Sequence, residues 1–253
     1  MKAVLITGGT KGIGREIAEN YLKKGYLVIV NYANSDKDAE EFKDDMIGYS
    51  GKLFIVKADL SKIEGMELLV EEFSRLNVNL DILILNAGFT KRESFEDISY
   101  ESWSRVIDGN FNIPFFLVQK LSNNINENGR IIFISSVLGI KADASSIQYG
   151  VSKGALMTLT KYLAKYFASK KITVNCIAPG FVDTSWQKNK PIEQRERIKN
   201  KTLIKRFAYV SEIASVCITL EENEYITGQT IVIDGGYSCL LYTSPSPRDT
   251  ERS

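Results

Sequence analysis

Ala3-Val4-Leu5-Ile6-Thr7-Gly8-Gly9-Thr10-Lys11-Gly12-Ile13-Gly14-Arg15 reads as an apolar strand, a glycine-rich turn and the first residues of a helix. Aliphatic residues fill the strand, and Ile17, Ala18, Tyr21 and Leu22 then recur at helical spacing. Glycines in such a turn let the backbone approach a pyrophosphate. Its charge then rests on the unpaired N–H groups and positive dipole end of the following helix. The order strand, glycine turn, helix predicts a dinucleotide site built from Gly8, Thr10, Lys11, Gly12, Ile13 and Gly14.

Outward from that turn, short β-branched runs alternate with stretches of helical periodicity. Strands are expected at 3–7, 27–32, 53–58, 82–86, 130–135, 173–178 and 230–234. The runs are apolar on both faces, so helices must cover both sides of the sheet. The predicted architecture is an α/β fold of Rossmann type: a doubly wound, seven-stranded parallel sheet with its chemistry at the carboxyl ends of the strands. The charged, weakly periodic stretch 184–206 is either a mobile lid over the substrate or a solvated pair of surface helices.

A chain of 253 residues with 44% hydrophobic and 25% charged residues suits one compact domain, taken as residues 1–238. A formal net charge of +1 offers no field for nucleic acid or an anionic membrane, which leaves a small-molecule partner. No apolar run reaches the roughly 18 residues of a membrane span, and Met1 leads straight into a strand, so a cytoplasmic location is expected. Cys176, Cys217 and Cys239 show no paired spacing and are expected to be free thiols. The sequence contains no histidine, which excludes Ser-His-Asp catalysis, His-Cys catalysis and His-ligated metal sites; no metal is expected. Acid–base work near neutral pH must then fall to a Tyr, Lys, Cys or carboxylate with a shifted pKa. Residues 239–249 read CLLYTSPSPRD, which matches the translation of transposase-adapter DNA used in sequencing libraries. Residues 239–253 are therefore set apart as a non-native tail.

Dinucleotide folds commonly end the second strand on an acid that binds the adenosine ribose hydroxyls. Here Asn31-Tyr32 stands in that place, while Lys11 and Arg15 flank the last glycines and Ser35 follows the strand. Those groups suit the extra 2′-phosphate of NADP(H), reached through charge-assisted hydrogen bonds.

Tyr149-Gly150-Val151-Ser152-Lys153 heads a helical pattern whose apolar stripe includes Leu156, Leu159 and Leu163. Tyr and Lys at i and i+4 share a helix face. A phenol with an ordinary pKa near 10 donates poorly at neutral pH unless a cation stabilises its anion. At roughly 4 Å and an effective dielectric near 20, one positive charge supplies about 4 kcal/mol, or about 3 pKa units as an upper bound. Lys153 is the candidate cation.

The glycine segment, Asn86-Ala87-Gly88, Asn110, Ser136, Tyr149 with Lys153, Pro179-Gly180 and Asp234-Gly235-Gly236 occur together and in order. That set resembles the short-chain dehydrogenase/reductase family from Met1 to about Ser238. The stretches 86–92, 178–184 and 225–229 are most similar to bacterial 3-oxoacyl-[acyl-carrier-protein] reductases. The resemblance implies NADP(H)-dependent reduction of a carbonyl to a hydroxyl. In that scheme Tyr149 donates the proton, Lys153 binds the nicotinamide ribose and lowers the Tyr149 pKa, Ser136 bonds the substrate carbonyl, and Asn110 supports a proton-relay water. Asn31, Asp59 and Leu60 would border the adenosine end, Asn86, Ala87 and Gly88 the adenosine ribose, and Pro179, Gly180, Val182 and Thr184 the nicotinamide and diphosphate. It further implies a homotetramer, an acyl-carrier-bound substrate and a place in fatty acid biosynthesis. Ile113 and Phe207-Ala208-Tyr209 depart from the acyl-carrier pattern, and Phe181 and Trp186 also suit a ketone, alcohol or sugar substrate. A non-catalytic NADP-binding protein is the third alternative.

Overall fold

Seven parallel strands pair in the order β3-β2-β1-β4-β5-β6-β7. They are β1 (Ala3–Ile6), β2 (Leu27–Tyr32), β3 (Leu53–Lys57), β4 (Leu80–Leu85), β5 (Ile125–Ile134), β6 (Thr173–Pro179) and β7 (Thr230–Ile233). This computed structural model describes residues 1–188 and 190–239; residue 189, the tail from residue 240 onward and the Trp186 side chain lie outside the described set. The strand order reverses between β1 and β4, and the reversal opens a crevice at their carboxyl ends.

Alternation along each strand feeds two cores. Leu5, Ile29, Leu83, Phe133 and Val174 face α3 (Ile63–Arg75), α5 (Ile113–Leu121) and α6 (Ile147–Tyr166), where Leu69, Phe73, Leu117 and Leu156 close the layer. Val4, Ile6, Val28, Val30, Ile84 and Ile132 face the other way, against Ile17 and Tyr21 of α1 (Gly12–Lys23) and Ile213, Cys217 and Leu220 of α9 (Val210–Glu222). Each such side chain contributes about 1.5–3 kcal/mol on leaving water, so the double-sided burial specifies the register of the sheet. Cys176 on β6 and Cys217 on α9 are buried free thiols, and Cys239 is an exposed one. Among the described residues no helix is long and apolar enough to cross a membrane.

The expected strands agree with the observed ones to within two residues at each end except at β5, which begins at Ile125 rather than near 130. Leu80 pairs with Ile125 and the register then shifts so that Ile82 pairs with Arg130. The intervening Asn126-Glu127-Asn128-Gly129 is polar, with Asn128 at φ 59°, and so carries the local signature of a turn. The stretch 184–206 forms two short helices, α7 (Ser185–Lys188) and α8 (Ile192–Asn200), of which α8 buries Ile198. The remaining helices are α2 (Asp36–Asp45) and α4 (Tyr100–Ile107), and a π-helical turn over Asp108–Asn112 joins α4 to α5.

Candidate active site

The glycine turn is pinned from two sides. Asn86 Nδ2 donates to the carbonyls of Thr7 and Gly8, both at 3.0 Å, and the Asn86 and Ala87 N–H groups donate to Thr7 Oγ1 at 2.9 Å. From the other side Asn31 Oδ1 accepts from the Gly8 N–H at 3.0 Å while its Nδ2 donates to the Ala58 carbonyl. Gly8 (φ 64°) and Gly12 (φ 55°) lie in the left-handed region that favours glycine. A Cβ on Gly14 would lie 2.2 Å from the Gly8 carbonyl oxygen. The α1 N-terminus behind this turn has no side-chain cap and no acidic residue in its first turn. Its N–H groups are thus left for an anion, and the residues present fit a dinucleotide pyrophosphate.

Two clefts meet at Gly88. The larger, about 690 Å³, carries Lys11, Asn31 and Ser35 on one wall and Asp59 and Leu60 on another, with Gly8, Thr10 and Ala87 between them. The smaller is lined by Ile13, Asn86, Ser136, Tyr149 and Lys153, and by Pro179, Gly180, Val182 and Thr184 after β6. Arg15 is not among them. Its guanidinium bonds Glu19 at 2.9 Å and Asp45, and lies over the Phe42 ring, because its position on α1 faces α2 rather than the turn. The expected role of Arg15 at a 2′-phosphate is therefore corrected: two carboxylates already hold its charge. Asp38, in the first turn of α2, engages the other two candidates for that phosphate. Lys11 Nζ lies 3.2 Å from its carboxylate and the Ser35 hydroxyl donates to it. The Ser35 bond and Lys11 hold the Asp38 carboxyl below its usual range against the opposing pull of burial. Sequence spacing could have suggested Asp38, three residues beyond Ser35, as an N-terminal helix acid.

Ser136 and Tyr149 come together because the turn Val137–Gly139 rests on α6: a Cβ on Gly139 would lie 2.6 Å from the Gly154 nitrogen. The Ser136 hydroxyl accepts from the Leu138 N–H and lies close enough to the Tyr149 phenol to favour its ionised form. Ser135, its neighbour, donates its hydroxyl to the Lys153 carbonyl at 2.6 Å and is thereby used up inside the fold. The Asn110 carboxamide, fully buried on the π-helical turn, donates to the Phe89 carbonyl at 2.8 Å and to Ser152, and accepts from the Phe89 N–H at 3.0 Å. It braces the loop after β4 against α6. A Cβ on Gly88 would lie 3.0 Å from Asn110 Oδ1 and 3.1 Å from Lys153 Nζ.

Lys153 Nζ lies 5.7 Å from the Tyr149 ring centre and donates to the Ile134 carbonyl at 2.9 Å. Burial pushes Lys153 down to about 8 and pushes the Tyr149 phenol up from its ordinary value, with the Ser136 hydrogen bond opposing the latter. This differs from the expected depression of Tyr149 by Lys153, for a physical reason. The ammonium is committed to a backbone carbonyl, and desolvation acts on both groups, against the charged form of each.

Known proteins resemble this chain along most of its length. A family model described as enoyl-(acyl carrier protein) reductase matches residues 8–238. Glucose 1-dehydrogenase 2 of Bacillus subtilis is 36% identical over 250 residues, with 96% of each chain covered. A 3-oxoacyl-[acyl-carrier-protein] reductase of Staphylococcus epidermidis is 31% identical over 239 residues, covering 93% of this chain and 98% of the relative. Among solved structures, an angucycline C-6 ketoreductase with bound NADP superposes with a TM-score of 0.89 at 34% identity, covering 94% of this chain and 96% of the other. With the glycine turn, the strand order and the Ser136, Tyr149 and Lys153 cluster in place, the chain belongs to the short-chain dehydrogenase/reductase family.

Proposed function

We propose that this chain is an NADP(H)-dependent carbonyl reductase whose domain is residues 1–238. The observation that carries the reading is the convergence of the Ser136 hydroxyl, the Tyr149 phenol and Lys153 in one cleft that runs on into the glycine turn. When bound, the dinucleotide supplies the hydride. Gly8 to Gly14 and the α1 N-terminus hold its pyrophosphate, Asp59 and Leu60 border its adenosine end, and Pro179, Gly180, Val182 and Thr184 border the far end. Ser136 donates to the substrate carbonyl oxygen, and Tyr149 hands that oxygen its proton as negative charge develops there. Burial raises the phenol's pKa, so its donation depends on positive charge beside it to stabilise the anion left behind. Lys153 holds the ribose and supplies positive charge beside the phenol, and Asn110 acts as a positioning residue that fixes the loop carrying Gly88.

The substrate we favour is a 3-oxoacyl group on an acyl-carrier protein, in fatty acid synthesis within the cytoplasm. Similarity to the staphylococcal reductase and to an acetoacetyl-CoA reductase of Acinetobacter, 33% identical over 240 residues, supports it. A sugar or ketone substrate is the second reading, supported by the glucose dehydrogenase and the ketoreductase. A non-catalytic NADP-binding role fits less well, because Asn110, Ser136, Tyr149 and Lys153 are all present. Assembly as a homotetramer is part of this reading, supported by exposed Val151, Tyr162 and Tyr166 on α6, Phe116 on α5 and Val232 on the edge strand β7. The deciding assay follows absorbance at the reduced-nicotinamide band with NADPH or NADH across acetoacetyl thioesters, ketones and sugars. NADPH oxidation with at least one carbonyl class is expected, and tight NADPH binding with no turnover on any would leave the non-catalytic role.

In this reading preference for NADPH rests on Lys11 and Ser35, whose bonds to Asp38 the 2′-phosphate would replace. Lys11→Gln is expected to weaken NADPH binding about 10- to 100-fold, the worth of one charge-assisted hydrogen bond, while NADH binding changes little. Fluorescence titration of both cofactors measures this, and equal losses for the two would refute the assignment. The Lys153 ammonium is present below about 8 and lost above it. NADPH affinity is therefore expected to fall as pH rises through that value. Stability moves the opposite way: the cost of burying a charged Lys153 is present in full below about 8 and is relieved as pH climbs toward the ordinary lysine range. A Lys153→Met protein should show neither limb.

A further inference from the structure

The smaller cleft, about 210 Å³, contains three cationic side chains, Arg92, Lys153 and Lys190, and no carboxylate among its described lining residues. Lys153 belongs to the machinery above; the other two do not. Arg92 follows β4 by seven positions and Lys190 stands between α7 and α8, so two separate loops bring like charges to one mouth. Among the described residues neither forms an ion pair, and Lys190 Nζ is met by the neutral Gln187 Oε1 at 2.6 Å. Nearby acids are already engaged. Glu93 is held by Lys91 at 2.7 Å, with Ser102 and Gln148 bonded to it as well; Asp183 is held by Arg195 at 3.2 Å; and Asp143 caps the Ala144–Ser146 turn, its carboxyl held below the usual range by the Ser145 bonds and by the charges of Arg92 and Lys201 at longer range. Thr90 Oγ1, on the same wall, is buried without a hydrogen-bond partner. Burial and the charges of Arg92 and Arg195 push Lys190 below its ordinary value, as expected of a cation that lacks a counter-ion.

Two cations with no contact ion pair among the described residues and a buried hydroxyl with no partner, on the wall of a cleft that also holds Ser136 and Tyr149, describe a half-built anion site. We propose that the substrate of this enzyme carries, besides its reacting carbonyl, a carboxylate or phosphate that binds between Arg92 and Lys190 with the Thr90 hydroxyl as a further donor. The inference rests on the carbonyl reductase reading and names its substrate class: an oxo acid or an oxo compound with a phosphate-bearing arm, rather than a neutral ketone. The anion offsets the repulsion between the two cations.

The test uses matched probes with the full chain and NADPH: acetoacetate, ethyl acetoacetate, and acetoacetyl pantetheine with and without its 4′-phosphate. The anionic member of a pair is expected to show kcat/KM about 10- to 100-fold higher, expressed mainly in KM and falling with added salt. Arg92→Gln and Lys190→Gln should each shrink that ratio about tenfold. A preference confined to the free acid assigns the anion to a small oxo acid, and one confined to the phosphorylated thioester assigns it to the pantetheine arm; both uphold the site. Equal turnover of charged and neutral partners, unmoved by either substitution, overturns the anion site while leaving the reductase standing. No turnover of any probe, with activity found only on neutral sugars or ketones, also overturns it. Loss of all carbonyl reduction would strike the reductase reading itself.

Discussion

Tyr149→Phe is expected to lower carbonyl reduction by about 10²- to 10⁴-fold while leaving NADPH affinity within a few-fold, because it deletes only the proton donor. The ring stays in place beside Lys153, whose ammonium keeps its bond to the Ile134 carbonyl. Ser136 still offers a hydrogen bond to the substrate oxygen, so binding of the carbonyl survives better than its conversion. The loss should therefore appear in kcat more than in KM. Single-turnover kinetics beside a cofactor titration separate the two. Unchanged turnover would show that the proton comes from elsewhere, and the proposed chemistry would fall with it.

Gly14→Ala should remove cofactor binding and destabilise the fold together. The added Cβ would stand 2.2 Å from the Gly8 carbonyl oxygen and 2.6 Å from Asn86 Nδ2. Neither neighbour has freedom to yield: one is backbone, and the other is the amide that ties the turn to Thr7 and Gly8. Overpacking of this kind costs about 1–3 kcal/mol, which for a chain of this size lowers the unfolding temperature by about 2–4 °C per kcal/mol. Displacing the turn also moves the N–H groups that face the pyrophosphate, so NADPH affinity should fall by more than the stability loss alone would require. Thermal unfolding with and without NADPH reads both effects. A variant that melts normally and is stabilised normally by NADPH would show that this close approach is not needed.

Much of this was legible in the chain. All seven strands, the glycine turn and the Tyr149–Lys153 pair follow from periodicity and spacing over a few residues, since burial in the central strands of a parallel sheet leaves short runs that are mostly apolar. The β5 start escaped because Asn126 to Gly129 carries turn chemistry while long-range pairing to β4 places Ile125 beside Leu80. Nearness to the glycines suggests Arg15, yet Glu19, one turn further along the same face of α1, and Asp45 on α2 claim its guanidinium.

Local pattern is thus enough to establish which segments become strand, turn and helix, and hence the parallel sheet and the end of it where chemistry occurs. Packing settles how individual polar groups are spent. Ser135 is consumed by the Lys153 carbonyl and Ser136 is left beside Tyr149; Asn110 is committed to the Phe89 loop; Asp38 meets Lys11; Arg92 and Lys190 face one cleft from loops far apart in the chain. The division has one cause. Backbone preference acts between neighbours along the chain, whereas a hydrogen bond or a charge finds its partner only after the two cores have fixed where distant segments stand.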